Sequence, residues 1–311
     1  MNFFSKKNIL ITGASGYIGS TVAKALSRFD CRLHLLSRRD NQVFDITKKN
    51  FWQSVLKNVD IVFHFAGQTS SSFANNHPIE DTQTNLLPIV RLIETCQEHH
   101  YSPDVIFAGT VTQAGNTRGR INEDFKDNPI TVYDINKLTA ETYLRYYSDQ
   151  AFGRAVILRL CNIYGPGPSN SKPDRGIVNL MIKKALKNEL ITVFGKGNYV
   201  RDYLYIDDVV NAFIKAAINI DKTKGKYYVI GTGVGHTILQ MATAIKEEVK
   251  NIIDKEPAII FSPFPKNTSV IEYRNFIADS TRFKKDTGWS AKISLKEGIK
   301  KTVNYYKNGD I

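Results

Sequence analysis

An apolar run, Asn8-Ile-Leu-Ile-Thr12, passes without a spacer into Gly13, Gly16 and Gly19. No other stretch limits the fold so tightly. A buried strand must end at these glycines, and the amphipathic residues that follow restart the chain as a helix. Gly13 permits a tight turn, Gly16 leaves its backbone open to close approach, and Gly19 lets the new helix pack near the strand. The first N–H groups of such a helix have no partner within it and carry the positive pole of its dipole. The turn is therefore suited to receive a phosphate. In this strand–turn–helix context Gly13 to Gly19, with Ser15, Tyr17 and Ile18 between the glycines, read as a dinucleotide-binding loop.

Strand-like apolar runs at 8–12, 32–37, 60–66, 104–109 and 154–160 alternate with amphipathic stretches near 17–28, 48–57, 79–99 and 131–150. Such alternation predicts an α/β fold, a doubly wound parallel sheet of Rossmann type with helices on both faces. Ligands in these sheets meet the carboxyl ends of the strands. The segments to inspect are therefore Gly13 to Gly19, Ser37 to Arg39, Ala66 to Thr69, Thr110 to Gly115 and Asn162 to Pro168. Residues 1–165 are expected to form the dinucleotide-binding domain, with later segments returning to it. Residues 166–311 are expected to form mainly a smaller, mixed α/β substrate lobe, and Gly165 to Gly176 reads as a loop by composition.

Lys and Arg number 42 against 30 Asp and Glu, giving a net charge of +12 that favours an anionic partner. The basic residues are dispersed instead of gathered into an arm, so neither nucleic acid nor a membrane is the expected partner. Cys31, Cys96 and Cys161 have no paired or metal-ligand spacing, and the six histidines show none either. A metal-free protein of a reducing, cytoplasmic compartment is expected, with neither signal peptide nor membrane span.

Tyr133 and Lys137 stand four residues apart and so share one helix face. A free phenol ionises near ~10. A neighbouring ammonium favours the phenolate and brings it toward the working range of an acid–base group. Thr110 closes the preceding strand where its hydroxyl can meet a substrate oxygen. Taken alone, the Tyr–Lys pair also suits a solvated helix face, and Thr110 a turn cap. His64, inside an apolar run, reads as a packed core residue.

Together Gly13-x-x-Gly16-x-x-Gly19, Thr110, Tyr133-x-x-x-Lys137 and Arg201-Asp-Tyr-Leu-Tyr-Ile-Asp-Asp208 resemble the extended short-chain dehydrogenase/reductase family. Within it they are most similar to the nucleotide-sugar epimerases, dehydratases and ketoreductases, over Ile9 to Trp289. The resemblance implies that Tyr133 is the acid–base residue, that Lys137 binds the nicotinamide ribose, and that Thr110 fills the family's Ser/Thr position. It places Asn85 near the active site, although Pro88 stands where a glycine is usual. It implies substrate contacts at Thr110, Thr112, Asn162 and Arg201, with Arg201 on the diphosphate. Asp45 and Ile46 match the segment that meets adenine, and Ala66 and Gly67 the one that lines the cofactor. A homodimer through the helices near 79–99 and 131–150 is implied in the same way.

Cofactor choice rests on the end of the second strand. An acidic residue there would favour NAD, whereas Arg38 and Arg39 suit a 2′-phosphate, so NADP is expected, with NAD as the alternative. Val111 and Thr112 replace the acidic pair of the family's dehydratases, which disfavours 4,6-dehydration, and Gln113-Ala-Gly115 replaces the usual Val-Tyr-Gly. The expected function is an NADPH-dependent ketoreductase acting on a nucleotide-diphospho-4-keto-6-deoxyhexose. The alternative is an NAD-dependent 4-epimerase similar to the UDP-glucose enzymes. A non-catalytic dinucleotide- or RNA-binding role is the remote third reading, prompted by the charge.

Overall fold

A computed structural model describes residues 3–37, 45–167, 176–253, 255–266 and 268–309. Strand β1 (Asn8–Thr12) leads through the glycine turn into α1 (Tyr17–Leu26), followed by β2 (Arg32–Leu36), α2 (Lys49–Leu56) and β3 (Ile61–His64). Three helices come next, α3 (Ser71–Asn76), α4 (Pro78–Asn85) and α5 (Leu87–His99), then β4 (Asp104–Thr110) and β5 (Arg120–Ile121). Helix α6 (Val132–Asp149) precedes β6 (Arg154–Leu160), β7 (Asn162–Tyr164), α7 (Ile177–Leu186), β8 (Ile191–Phe194) and β9 (Val200–Tyr205). The chain continues through α8 (Ile206–Ile218), α9 (Ile220–Thr223), β10 (Lys226–Ile230), β11 (Gly235–Thr237) and α10 (Ile238–Ile253). It closes with β12 (Ile259–Ser262), β13 (Ile277–Ala278), α11 (Thr281–Thr287) and α12 (Leu295–Asn308).

Six strands form one parallel sheet in the order β10-β6-β4-β3-β1-β2, a Rossmann-type α/β fold. Residues alternating along the strands sort onto two apolar faces, as the period of two requires. Ile9, Ile11, Ile61, Phe63, Ile106, Val156 and Leu158 join the cluster that holds α1 and α8. Leu10, Val62, Val105, Phe107, Ala155 and Ile157 join the one that holds α2, α5 and α6. Strands covered on both faces read as continuous apolar runs, which is why they stand out in the sequence. Strand order reverses between β1 and β3, so the ligand crevice of such a sheet opens beyond Thr12 and His64.

Beyond residue 165 the chain first builds α7, β8 and β9, then returns β10 to the main sheet beside β6. The small sheet β11-β9-β7 sits off the carboxyl end of the main one, because β7 begins one residue after Cys161, which follows β6 directly. β8 pairs with β12, and β5 with β13.

Two departures from the expected boundaries have a clear physical cause. The single helix expected over 79–99 is two helices meeting at Leu86. Pro88 lacks the N–H that would continue the ladder and its ring crowds the preceding turn, so it opens α5 instead. Strand β3 stops at His64, not at residue 66, because the N–H groups of Phe65 and Ala66 turn to the Thr12 hydroxyl, each at 3.2 Å.

Candidate active site

At Gly13 and Gly19 the loop has no room for a side chain. Gly13 has φ +67°, and a Cβ on it would lie 2.7 Å from the Ala66 nitrogen. A Cβ on Gly19 would come within 2.2 Å of the Gly13 carbonyl oxygen, so only glycine lets α1 sit this close to the turn. Gly16, at the N-cap of α1, is exposed, accepts no side-chain cap, and no acidic residue occupies the first turn. These are the features of an anion site, and they fit a dinucleotide pyrophosphate. Tyr17 donates its hydroxyl to the Gly165 carbonyl at 2.8 Å and ties the loop to the start of the 165–176 segment. Ala66 lies against Gly13, while Asp45 is exposed and the Ile46 carbonyl accepts from Trp52 Nε1 at 2.8 Å. Arg38 and Arg39 lie outside the described residues.

Thr12 joins the two strands that flank the crevice. Its hydroxyl accepts from Phe65 and Ala66 and lies 3.0 Å from His64 Nδ1, so its own proton goes to that nitrogen. His64 is buried, and burial pushes its pKa down to about 3, which keeps the ring neutral at the core position expected of it.

Helix α6 starts at Thr131, whose hydroxyl accepts from the Asp134 N–H at 3.2 Å. It carries Tyr133, half-buried, and Lys137, whose residue is only 6% exposed. Lys137 Nζ rests 3.9 Å above the centroid of Phe107 on β4, three residues before Thr110. Burial pushes its pKa down to about 7, against the opposing pull of Asp81 and Glu141. A lysine so poised is ready for a partner that will stabilise its charge. Thr110, at the end of β4, lies 2.7 Å from Thr112 Oγ1, and Thr112 in turn contacts Asp134.

A second polar group lies under this face. Asp81 is fully buried and accepts from Gln68 Nε2 at 2.6 Å, Asn85 Nδ2 at 2.8 Å and Asn136 Nδ2 at 2.7 Å. Asn85 also donates to the Gln68 carbonyl at 3.0 Å, and a Cβ on Gly67 would lie 2.6 Å from its Oδ1. The asparagine thereby fixes the turn that contains Gly67. Among the described residues the carboxylate's direct partners are these side-chain amides, and its charge acts on Lys137 through space.

On the other side of the site, Asn162 stands opposite Tyr203 in the pairing of β7 with β9. Arg201 is buried and donates to the carbonyls of Val200 at 3.0 Å, Glu272 at 2.8 Å and Arg274. Burial, then the nearby Arg274 charge, pushes its pKa down to about 10. Arg274 is buried as well, its Nε without a hydrogen-bond partner, and it acts on Asp134 across the site. Two neighbouring buried guanidiniums, with the half-exposed Glu272 and the more distant Asp134 as the acidic groups acting on them among the described residues, favour an anion. The sequence reading missed Arg274, Asp81, Gln68, Asn136 and Asp134. Two of them left a signal: Asp81 precedes Asn85 by one helical turn, and Thr131-x-x-Asp134 has the spacing of a capping box. Among the described residues no group of His, Cys, Asp and Glu could hold a metal, and no helix is long and apolar enough to cross a membrane.

The sequence matches the profile of the NAD dependent epimerase/dehydratase family over residues 9–231. The chain belongs to that family. UDP-glucose 4-epimerase of Mycolicibacterium smegmatis is 27% identical over 327 residues, covering 96% of this chain and 98% of the relative. The crystal structure of UDP-glucose 4-epimerase with UDP-glucose from Thermotoga maritima superposes with a TM-score of 0.85 at 30% identity, covering 96% of this chain and 98% of that one. That of the Thermus thermophilus UDP-glucose 4-epimerase in complex with NAD gives 0.80 at 26% identity, covering 97% and 99%. As a member of the epimerase/dehydratase family, the protein is an NAD(P)-dependent oxidoreductase or epimerase, and its glycine cradle is the part that fits a nicotinamide dinucleotide.

Proposed function

We propose that the protein is a nucleotide-sugar 4-epimerase that acts on a UDP-hexose and keeps NAD bound through the cycle. The observation that carries this reading is the likeness to UDP-glucose 4-epimerases over the whole chain, joined to an intact Thr110–Tyr133–Lys137 set. It reverses the order suggested by Arg38 and Arg39 together with the 111–115 segment, which put an NADPH-dependent ketoreductase first. When bound, a nicotinamide dinucleotide supplies the hydride acceptor and donor. Tyr133 would take the proton of the C4 hydroxyl and give it back to the same oxygen. Thr110 orients that oxygen, and Lys137 holds the nicotinamide ribose. Arg201 and Arg274 would hold the diphosphate between them, with Asn162 and Thr112 lining the sugar side, and the mixed lobe from residue 166 would cover the substrate.

The purified protein is expected to carry NAD and to interconvert UDP-glucose and its C4 epimer with no net consumption of added cofactor. Stoichiometric NADPH oxidation by a 4-keto sugar nucleotide, without epimerisation, would restore the ketoreductase. We further infer a homodimer through α4 and α6, which expose Ile79 at 73%, Ile135 at 48% and Tyr146 at 46%. Light scattering at micromolar concentration is expected to give twice the chain mass, and a monomer would refute the interface.

A further inference from the structure

One buried carboxylate joins separate segments of the site. Asp81 on α4 accepts from Gln68, which follows the cofactor-lining Gly67, from Asn85 one helical turn later, and from Asn136 on α6. Asn136 directly precedes Lys137 and stands three residues after Tyr133. The Gln68 amide is itself fixed, because it donates to the Ser70 carbonyl at 2.9 Å and accepts the Ser70 N–H. Asn136 is steadied as well, with Nδ2 3.2 Å from Thr82 Oγ1. The carboxylate thus sets the helix that carries Tyr133 and Lys137 against the turn that contains Gly67.

An amide shares a hydrogen bond with a carboxylate but brings no charge to cancel it. The Asp81 charge therefore stays uncancelled beneath α6. Glu141, the other acid that acts on Lys137, is placed differently. Arg159 forks onto both of its oxygens, at 2.9 and 2.7 Å, and offsets its field. Among the described residues no acid bonds directly to the Lys137 ammonium, and Asp81 acts on it through space more strongly than Glu141 does. The other groups that face Lys137 are the neutral His64 from β3, the Phe107 ring from β4 and, one turn back on its own helix, Tyr133.

We propose that Asp81 is a positioning residue that anchors α6 at Asn136 and supplies the negative charge that lets Lys137 work as an ammonium beside Tyr133. Burial strips the ammonium of water, and a carboxylate held at a distance restores part of that loss. A direct ion pair would restore more, but it would tie the amine away from the nicotinamide ribose. The inference rests on the acid–base reading of Tyr133 and Lys137, and not on the identity of the sugar.

Asp81→Asn removes the charge at nearly constant shape, because the Asn136 amide can turn its oxygen toward the new nitrogen. In ¹³C NMR of the purified protein carrying ε-labelled lysine, with Lys137→Met identifying the resonance, the Lys137 midpoint is expected to fall by about 0.5–1.5 pH units. Asp81→Ser leaves room for water to meet the three amides. It is expected to give the same fall, and it makes the test if the asparagine variant does not fold. Turnover of the UDP-hexose is expected to be lost at high pH as the ammonium deprotonates, and in both variants this basic limb is expected to move to lower pH by the same interval. On the limb kcat then falls by about threefold to thirtyfold, which is the same shift read as a rate. KM is expected to stay within about twofold, because the groups assigned to the diphosphate lie on the other side of the site. An unmoved lysine midpoint, or a midpoint that moves while the basic limb stays in place, overturns the proposal. So does an equal loss of kcat and of substrate affinity at every pH, the result of a merely structural acid. A wild-type protein that converts no UDP-hexose defeats the epimerase reading instead, and the lysine titration then decides the role of Asp81 by itself.

Discussion

Tyr133→Phe is expected to lower turnover of the nucleotide sugar by about 10²–10⁴-fold, the range that a positioned acid–base group contributes. Affinity for the dinucleotide is expected to change by less than about tenfold, since at most one hydrogen bond is lost. The separation follows from where the residue sits. Tyr133 lies in the first turn of α6, beside the Thr110–Thr112–Asp134 chain and one turn before Lys137. The phosphate-binding features belong to a different element, the turn from β1 into α1. Phenylalanine keeps the ring and its packing and removes the one atom that can carry the proton. Initial rates on the UDP-hexose, set beside a fluorescence titration with the reduced dinucleotide, make the test. Full turnover in the variant would take Tyr133 out of the mechanism, whereas parallel loss of turnover and cofactor affinity would mark it as a binding residue.

The parts of this site that could be read from the sequence are those whose chemistry is local. Gly13, Gly16 and Gly19 announce their turn because a strand and a helix adjoin it, and Tyr133 and Lys137 announce a shared face by their spacing. Strands β1, β3, β4 and β6 were legible for a related reason, since burial on both faces leaves them largely apolar. What could not be read depends on distant segments. Arg274 follows Arg201 by seventy-three residues, and only the fold shows that the Arg201 guanidinium lies against the backbone of 272–274. Asp81 and Asp134 look like ordinary solvated helix residues until packing buries them against Asn136 and Thr112. The break at Leu86 was legible in principle. Pro88 stood out as a departure from the family pattern, yet its meaning lay in its missing N–H and not in the residue it replaces.

Lys137→Met is expected to abolish turnover and yet to stabilise the cofactor-free protein. The ammonium of Lys137 is almost wholly removed from water, and its direct compensation is the Phe107 ring face at 3.9 Å. Asp81 and Glu141 favour the charge only in part: Asp81 is occupied with three amides, and Glu141 with Arg159 at 2.7 Å. Burial therefore wins, and the folded pKa falls from 10.5 to about 7. Every tenfold weakening of proton binding corresponds to about 1.4 kcal/mol. Allowing for the lost cation–π contact, the gain on removing the charge is about 1–3 kcal/mol near neutral pH. The sign can be checked by linkage. Between about 7 and 10.5 the unfolded chain binds a proton that the folded chain has released, so this lysine makes stability rise with pH across that window. The difference in unfolding free energy between Lys137→Met and wild type should thus be largest below pH ~7 and shrink toward pH ~10.5. All other titrating groups are common to both proteins and cancel in the difference. Bound dinucleotide should invert the order, because ribose hydroxyls return to the ammonium the hydrogen bonds that burial removed, and methionine cannot use them. Denaturant melts of both proteins at several pH values, with and without saturating cofactor, make the measurement. A destabilised Lys137→Met apoprotein, or a pH-independent difference, would show that the ammonium is already well satisfied within the fold and is not held in reserve for the coenzyme.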